Sequence, residues 1–327
     1  MAIVSILFLI LSSAVTPEEA AASLAENSPA SDLVPAYSAI MAENASLALL
    51  ARDSMPWGAL VPDSIFLRYV LPVRVSQEPL SAWRPAFFEE LAPIAAGAGG
   101  IAEAAVRVMA WCDEKTVFLQ TQRRDQSPLV TLASGAGRCE ELTILQMDAL
   151  RAVCIPCRQV YTPWWTVCDN NHAWTEVWTP AGWVSTESGS AVDSLTQPTW
   201  FEANASRAAL VVAVTQDSVR GAVVQRGHGC LVNVTSDYAP TGSLGIQGAF
   251  GGPVYVSIVN WGALRPLVRL GRGIDRIDLG PGSYMLTWGW PIVSAVVQLS
   301  EGDSVTVTPD MGSPLPELAL LNQEEEQ

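Results

Sequence analysis

Between residues 100 and 215 the spacing of apolar positions changes from helical to alternating, and the two periods predict a helix-and-sheet body. Ile101, Ala104, Ala105, Val108 and Met109 recur at three- and four-residue steps, one face of a helix over Gly100–Trp111. A second stripe, Leu142, Leu145, Ala149, Leu150 and Val153, predicts a helix from Cys139 to about Val153, ended by Ile155-Pro156. The period then shortens to two. Arg158–Thr162 and His172–Trp178 read as strands, Thr179–Gly182 as a turn, Trp183–Glu187 as the returning strand and Ala209–Thr215 as another. Upstream, Pro17–Arg52 is rich in Ala, Leu and Glu and favours helix. Pro56–Arg84 mixes Pro and Trp around the apolar run Ile65–Val73 and reads as loop-rich, Phe87–Leu91 as helix, and Thr121–Gly137 as polar and turn-rich.

From about Gln216 the texture changes. Short β-branched runs alternate with Gly, Pro, Asn and Asp: Leu231–Val234, Val254–Ile258, Leu267–Leu270, Tyr284–Trp288, Val293–Leu299 and Ser304–Thr308. Regular turns between short strands predict a small β-sandwich. The expected order is a leader over 1–15, a helical and loop-rich region over 16–99, an α+β core over 100–215, the β-sandwich over 216–311 and an acidic tail over 312–327. No internal repeat is evident.

Composition narrows the partners. The chain has 327 residues, 16% charged and 49% apolar, which suits a folded protein. Its net charge of -15 argues against nucleic acid, whose phosphates need clustered Lys and Arg. Lys115 is the only lysine, which fits a GC-rich coding bias or a protein that avoids modifying itself through isopeptide bonds. Ala2–Leu11 is almost purely apolar, and Ser12-Ser13-Ala14 supplies the small residues a signal peptidase reads, although no Lys or Arg precedes the run. That predicts an export signal and a secreted, periplasmic or cell-envelope location. No later stretch is long enough to span a membrane.

Candidate chemistry centres on one thiol and one imidazole. Cys139 precedes a predicted helix, where free N–H groups and the helix dipole favour a thiolate. Gly135 and Gly137 just before it would let backbone approach a substrate. The chain has two histidines. His228, in Arg226-Gly227-His228-Gly229-Cys230, reads as a surface turn residue, which leaves His172 as the base. On its strand His172 shares a face with Trp174, Glu176 and Trp178. If the turn closes a hairpin, Trp178 opposes Trp183, Trp174 opposes Glu187, and Glu187 lies diagonally about 7–8 Å from His172. Glu187 could then orient the imidazole as the third member of a triad. Asp169, Asn170 and Asn171 could cap the loop leading to His172. Tyr161, Trp164, Trp165 and Trp174 are candidate substrate-wall residues, and core packing is the other reading of their rings. Cys154, Cys157, Cys168 and His172 have a spacing that superficially suits zinc, and Cys154-x-x-Cys157 a redox pair; both fit poorly at a helix-to-strand junction. A disulfide, for example between Cys157 and Cys168, fits better, and no metal or cofactor is expected.

Gly137-Arg138-Cys139-Glu140-Glu141, Ile155-Pro156-Cys157-Arg158-Gln159-Val160-Tyr161-Thr162-Pro163 and His172-Ala173-Trp174-Thr175-Glu176-Val177-Trp178 with Gly182-Trp183 resemble the transglutaminase-like superfamily over about 107–208. Val61–Leu67 more loosely resembles multidomain bacterial members. The resemblance implies a papain-like α+β fold, with the Cys on a helix packed against an antiparallel sheet. It implies Cys139 as nucleophile, His172 as base and residue 187 as the acid. The family normally has Asp there, four residues after the strand Trp, where this chain has Glu187, one methylene longer. Asp193 is a more distant substitute. Cys154 and Cys157 also depart from the small residues usual in the family. The implied activity is attack on an amide or peptide carbonyl through a thioester, ending in hydrolysis or acyl transfer, on a protein, peptide or cell-envelope substrate. The alternative is a binding or scaffold protein that keeps the fold with little or no turnover.

Overall fold

A computed structural model describes residues 15–120, 126–190, 192–215, 222–226, 229–271 and 273–314. Residues 1–14 of the expected leader, His228, and residues 315–327 of the expected tail lie outside the described residues. The chain forms a mixed structure of helices and mainly antiparallel sheets, with further β-sheets toward the C-terminus. Its contacts divide it into two units that interleave along the sequence. One comprises the chain up to Gln159 with Trp174–Gln197; the other holds Val160–Ala173, Pro198–Val214 and the C-terminal strands.

The first unit is largely helical. Helix α1 (Pro17–Asn27) starts with a reciprocal cap: the Glu19 N–H donates to Thr16 Oγ1 (3.1 Å), and the Thr16 N–H to the Glu19 carboxylate (2.8 Å). It is followed by α2 (Ser38–Ser54), α3 (Asp63–Tyr69), α4 (Trp83–Ala96), α5 (Ile101–Lys115), α6 (Pro128–Ser134) and α7 (Cys139–Ala152). All five stripe residues expected on α5 are buried. Two expectations are corrected here. The apolar run from Ile65 forms α3, because Phe66 can bury its ring completely in the common core. The polar stretch before Cys139 contains α6, begun by Pro128 and stopped by Gly135 at φ +68°.

Helix α7 is the axis of this unit, and every residue from Glu141 to Ala152 is buried. An element covered on all sides must find partners for its last carbonyls. The Trp57 indole N–H donates to the carbonyls of Val153 and Cys154, each at 3.1 Å. Arg84, fully buried, donates to the carbonyls of Arg151 (2.6 Å) and Val70 (2.7 Å) and to Asn44 Oδ1 (2.6 Å). Asp148 lies buried 3.6 Å from Arg151, and burial holds its carboxyl well above the usual carboxylate range.

Short strands β1 (Val117–Phe118) and β2 (Ala136–Gly137) pair in parallel just before α7. Strand β3 runs over Cys157–Thr162, β4 over His172–Thr179 and β5 over Gly182–Thr186. The β4–β5 hairpin has the expected register, Trp178 opposite Trp183. Carried one step past its last pair, Thr175 with Thr186, that register sets Trp174 level with Glu187. Six of the eight residues of β4 are buried, on both faces of the strand. Val177 enters the helical core, while Glu176 accepts from Arg158 Nε (2.5 Å). The Arg158 guanidinium lies over the Trp183 ring.

In the second unit β6 (Val212–Thr215) pairs with the end of β3. After the short helix α8 (Glu202–Ala205), β6, β7 (Val224–Arg226) and β8 (Gly229–Asn233) come two C-terminal sheets. One has the order β11 (Ala263–Leu270), β10 (Val254–Asn260), β13 (Gly282–Trp288), β14 (Val293–Leu299), β16 (Ser313–Pro314). The other has β12 (Arg276–Leu279), β9 (Gly242–Ile246), β15 (Ser304–Val307). Alternate residues of both sheets, among them Leu244, Val256, Ile277, Leu286, Val297 and Val307, share one apolar core, the layered arrangement expected of a sandwich.

Candidate active site

Cys139 is the first residue of α7 and is partly accessible. Its placement is local. Gly135 caps α6, and the N–H groups of Val117 and Leu119 donate to the carbonyls of Gly135 (3.0 Å) and Gly137 (2.9 Å). A Cβ at Gly137 would lie 2.8 Å from Glu141 Cβ and 3.3 Å from Thr131 Cγ2. Gly135 therefore serves the turn into α7, and Gly137 its close packing. The buried Glu141 carboxylate accepts from the Arg138 N–H (2.9 Å), Nε (3.0 Å) and an Arg138 terminal nitrogen (2.5 Å). This bonding to Glu141 pushes the Arg138 guanidinium up from its ordinary value. It also satisfies the N–H just ahead of the helix and places a cation next to the thiol-bearing residue.

Cys157 and Cys168 are both free thiols, so the disulfide expected between them does not form. Cys157 is fully buried and donates from Sγ to the Met147 carbonyl of α7 (3.4 Å), which fixes its thiol within the helical core. Burial pushes the thiols of Cys154 and Cys157 up to about 12 and that of Cys112 higher still. Cys139 and Cys168 alone are partly accessible. Among the described residues no group of three His, Cys, Asp or Glu side chains is gathered as a metal would require.

Glu187 belongs to the same unit as Cys139 and is 7% exposed. It directly follows β5, and its Oε1 accepts the Ser188 N–H (3.2 Å). The Ser188 hydroxyl lies 3.3 Å from Thr143 Oγ1 on α7 and 3.3 Å from Thr175 Oγ1 on β4. A hydroxyl clasp thus ties the Glu187 segment to both elements. Gly189 follows at φ +81°, where a Cβ would meet the Leu142 side chain at 2.6 Å. Asp193, the distant substitute, is exposed further along the loop.

His172 opens β4, is 6% exposed and counts with the second unit. Its imidazole stacks on Trp165 (ring centroids 6.3 Å apart, 27° between planes) and packs against Trp200 (4.8 Å) and Phe201 (5.2 Å). Trp200 is 62% exposed, Phe201 fully buried. The sequence reading missed both. The signal was the pair of adjacent aromatics in Pro198-Thr199-Trp200-Phe201, directly before a short helix.

The expected substrate wall is redistributed. Trp174 and Trp165 are both buried, Trp165 against His172, so neither offers a wall to solvent. Tyr161 and Trp164 are half-buried on the core of the second unit, and the Arg265 guanidinium covers the Trp164 ring at 4.6 Å. Large flat rings contribute most by burial, and all four are engaged in that way, two buried and two half-buried. Asp169 pairs with Arg265 (2.6 Å), and the Asn170 side chain accepts the Asn171 N–H (2.9 Å), so the residues ahead of His172 do order their loop.

Residues 91–188 match the family model of the Transglutaminase-like superfamily, so this stretch is a transglutaminase-like core. A solved structure described as a "Putative Cysteine Protease" from Cytophaga hutchinsonii is similar at 17% identity, over 37% of this chain and 40% of that one, with a TM-score of 0.30. This chain therefore spans well under two thirds of that protein's length. No curated protein sequence matches the chain. Among the described residues no helix is long and apolar enough to cross a membrane.

Proposed function

We propose that the chain is an exported thiol enzyme acting on amide or peptide carbonyls. In this reading the Cys139 sulfur adds to the carbonyl carbon as His172 takes its proton. The carbon–nitrogen bond then breaks, and the imidazolium returns the proton to the departing amine, leaving a thioester on Cys139. Water, activated by the same imidazole, releases the acid and restores the thiol; an amine in its place yields a new amide. Glu187 would hold the ring nitrogen opposite the one that exchanges protons. The observation that carries the reading is the family match, whose residues 91–188 contain Cys139, His172 and Glu187 together in the order such chemistry uses. The partly accessible state of Cys139, against the burial of Cys112, Cys154 and Cys157, supports it.

One observation favours a second reading, a binding or scaffold protein with this fold. The acid position holds Glu, and its Oε1 accepts an N–H from the next residue of its own chain. Labelling with an iodoacetamide probe at neutral pH separates the two. Fast modification at Cys139 that slows sharply in His172→Ala supports the enzyme; equal, slow modification in both supports the scaffold. Incubating an enzyme-competent chain with a glutamine-containing protein and a fluorescent primary amine then distinguishes transfer, which fixes the dye, from hydrolysis, which releases ammonia alone.

A further inference from the structure

The loop that delivers His172 has a partner far away in the sequence. Residues 163–171 connect β3 to β4 without regular structure, so their backbone groups must be satisfied individually. Within the loop the Trp165 N–H donates to the Asn170 carbonyl (2.8 Å), and the Asn170 N–H to that of Cys168 (2.9 Å). Two carbonyls of the same loop, those of Trp165 and Cys168, accept from one group: Nδ2 of Asn260, at 2.7 Å each. Asn260 ends β10, 95 residues from Trp165, and its side chain is buried. The amide orientation follows from the chemistry, since only the NH2 end can donate, and two carbonyls use both of its hydrogens.

We propose that Asn260 is a positioning residue for His172. Its amide fixes the Trp165 backbone, and the Trp165 ring stacked on the imidazole sets the ring plane. The β10–β11 hairpin that carries Asn260 turns through Trp261 (φ +49°) and Gly262 (φ +71°), a tight connection that holds the strand end in place. From β11, Arg265 clamps the same loop from outside through Asp169. The C-terminal sheets thereby become part of the device that aims the base. The consequence for Cys139 rests on the thiol–imidazole reading above; the consequence for His172 does not.

The test uses the full chain with Asn260→Ala and Asn260→Ser. With only two histidines, the His172 ring-proton resonance is assigned by its disappearance in His172→Ala. In the wild type that resonance should carry ring-current displacements from Trp165, Trp200 and Phe201 together. In Asn260→Ala it should shift as the Trp165 ring leaves its stacked position. Iodoacetamide labelling of Cys139 should slow roughly tenfold or more, the scale of loss from a misplaced catalytic group. Labelling of Cys168, in the released loop, should accelerate. Asn260→Ser keeps one donor and should fall between, and it decides the matter if the alanine variant does not fold. A merely structural role would lower the melting temperature and leave the folded-state resonance and both labelling rates unchanged; that result overturns the proposal. If His172→Ala itself leaves Cys139 labelling unchanged, the thiol–imidazole reading fails, and the His172 resonance still decides the role of Asn260.

Discussion

Cys139 is held by its neighbours in sequence, His172 by a distant part of the chain. The turn into α7 is set by Gly135, Gly137, Arg138 and Glu141, all within four residues of the thiol. The loop into His172 depends on Asn260 and Arg265, which bond to it across 92–96 residues. The difference has a physical basis. A helix start can be completed by reciprocal side-chain and backbone bonds one turn apart. An irregular loop cannot satisfy its own carbonyls and must borrow donors from a rigid neighbour. A thiol at a helix start is therefore robust to change elsewhere, while an imidazole at the end of a loop inherits the condition of whatever braces that loop.

The largest expected effect breaks the helical region. Arg84→Ala leaves the carbonyls of Arg151 and Val70 and the Asn44 side chain without their buried donor, and should cost about 3–5 kcal/mol. A denaturant midpoint close to that of the wild type would show that these bonds do not hold α7 in place.

Alkaline pH should act on the same region. The thiols of Cys112, Cys154 and Cys157 are raised by burial, so the folded state keeps protons that the unfolded chain releases above about pH 8.5. Stability is thus full below that pH and falls as pH rises through it. Each thiol should contribute about 1.4 kcal/mol of loss per pH unit until its folded value is reached. Thermal unfolding between pH 7 and 10 measures this; a flat profile would mean that these thiols are not shielded. In the folded chain at pH 7 all three should resist iodoacetamide while Cys139 and Cys168 react.

Gly137→Ala addresses the local device. The added methyl must displace Glu141 or Thr131, which should cost about 1–3 kcal/mol and slow Cys139 labelling while leaving the His172 resonance in place. Movement of that resonance would show that the two regions are not as independent as their bonding implies. The smallest effect should come from Arg265→Ala, since its ion pair with Asp169 is partly exposed: about 0.2–1 kcal/mol, reduced further by salt. An effect as large as that of Asn260→Ala would shift the bracing role from the buried amide to the guanidinium.

Features whose information lies within one element could be read from the chain alone. The stripe on α5, the Cys139 start of α7, the β4–β5 register and the Val293–Leu299 strand were legible, because periodicity and turn residues act over a few positions. Weakly marked elements were not. Helix α3 hides in a Pro- and Trp-rich passage and α6 in a polar one, and each is stabilised by what it packs against more than by its own composition. Long-range packing set the fate of the aromatic residues: Trp174 and Trp165 are consumed by burial, while Trp200 and Phe201, unremarked in the sequence, line the imidazole. It also decided that Cys157 stays a free thiol, since it lies inside the helical core. And it decided that Asn260 serves the loop before His172. A side-chain amide bonding two carbonyls 92 and 95 residues away leaves no local pattern, because long-range hydrogen bonds depend on which surfaces the fold brings together and not on residue spacing.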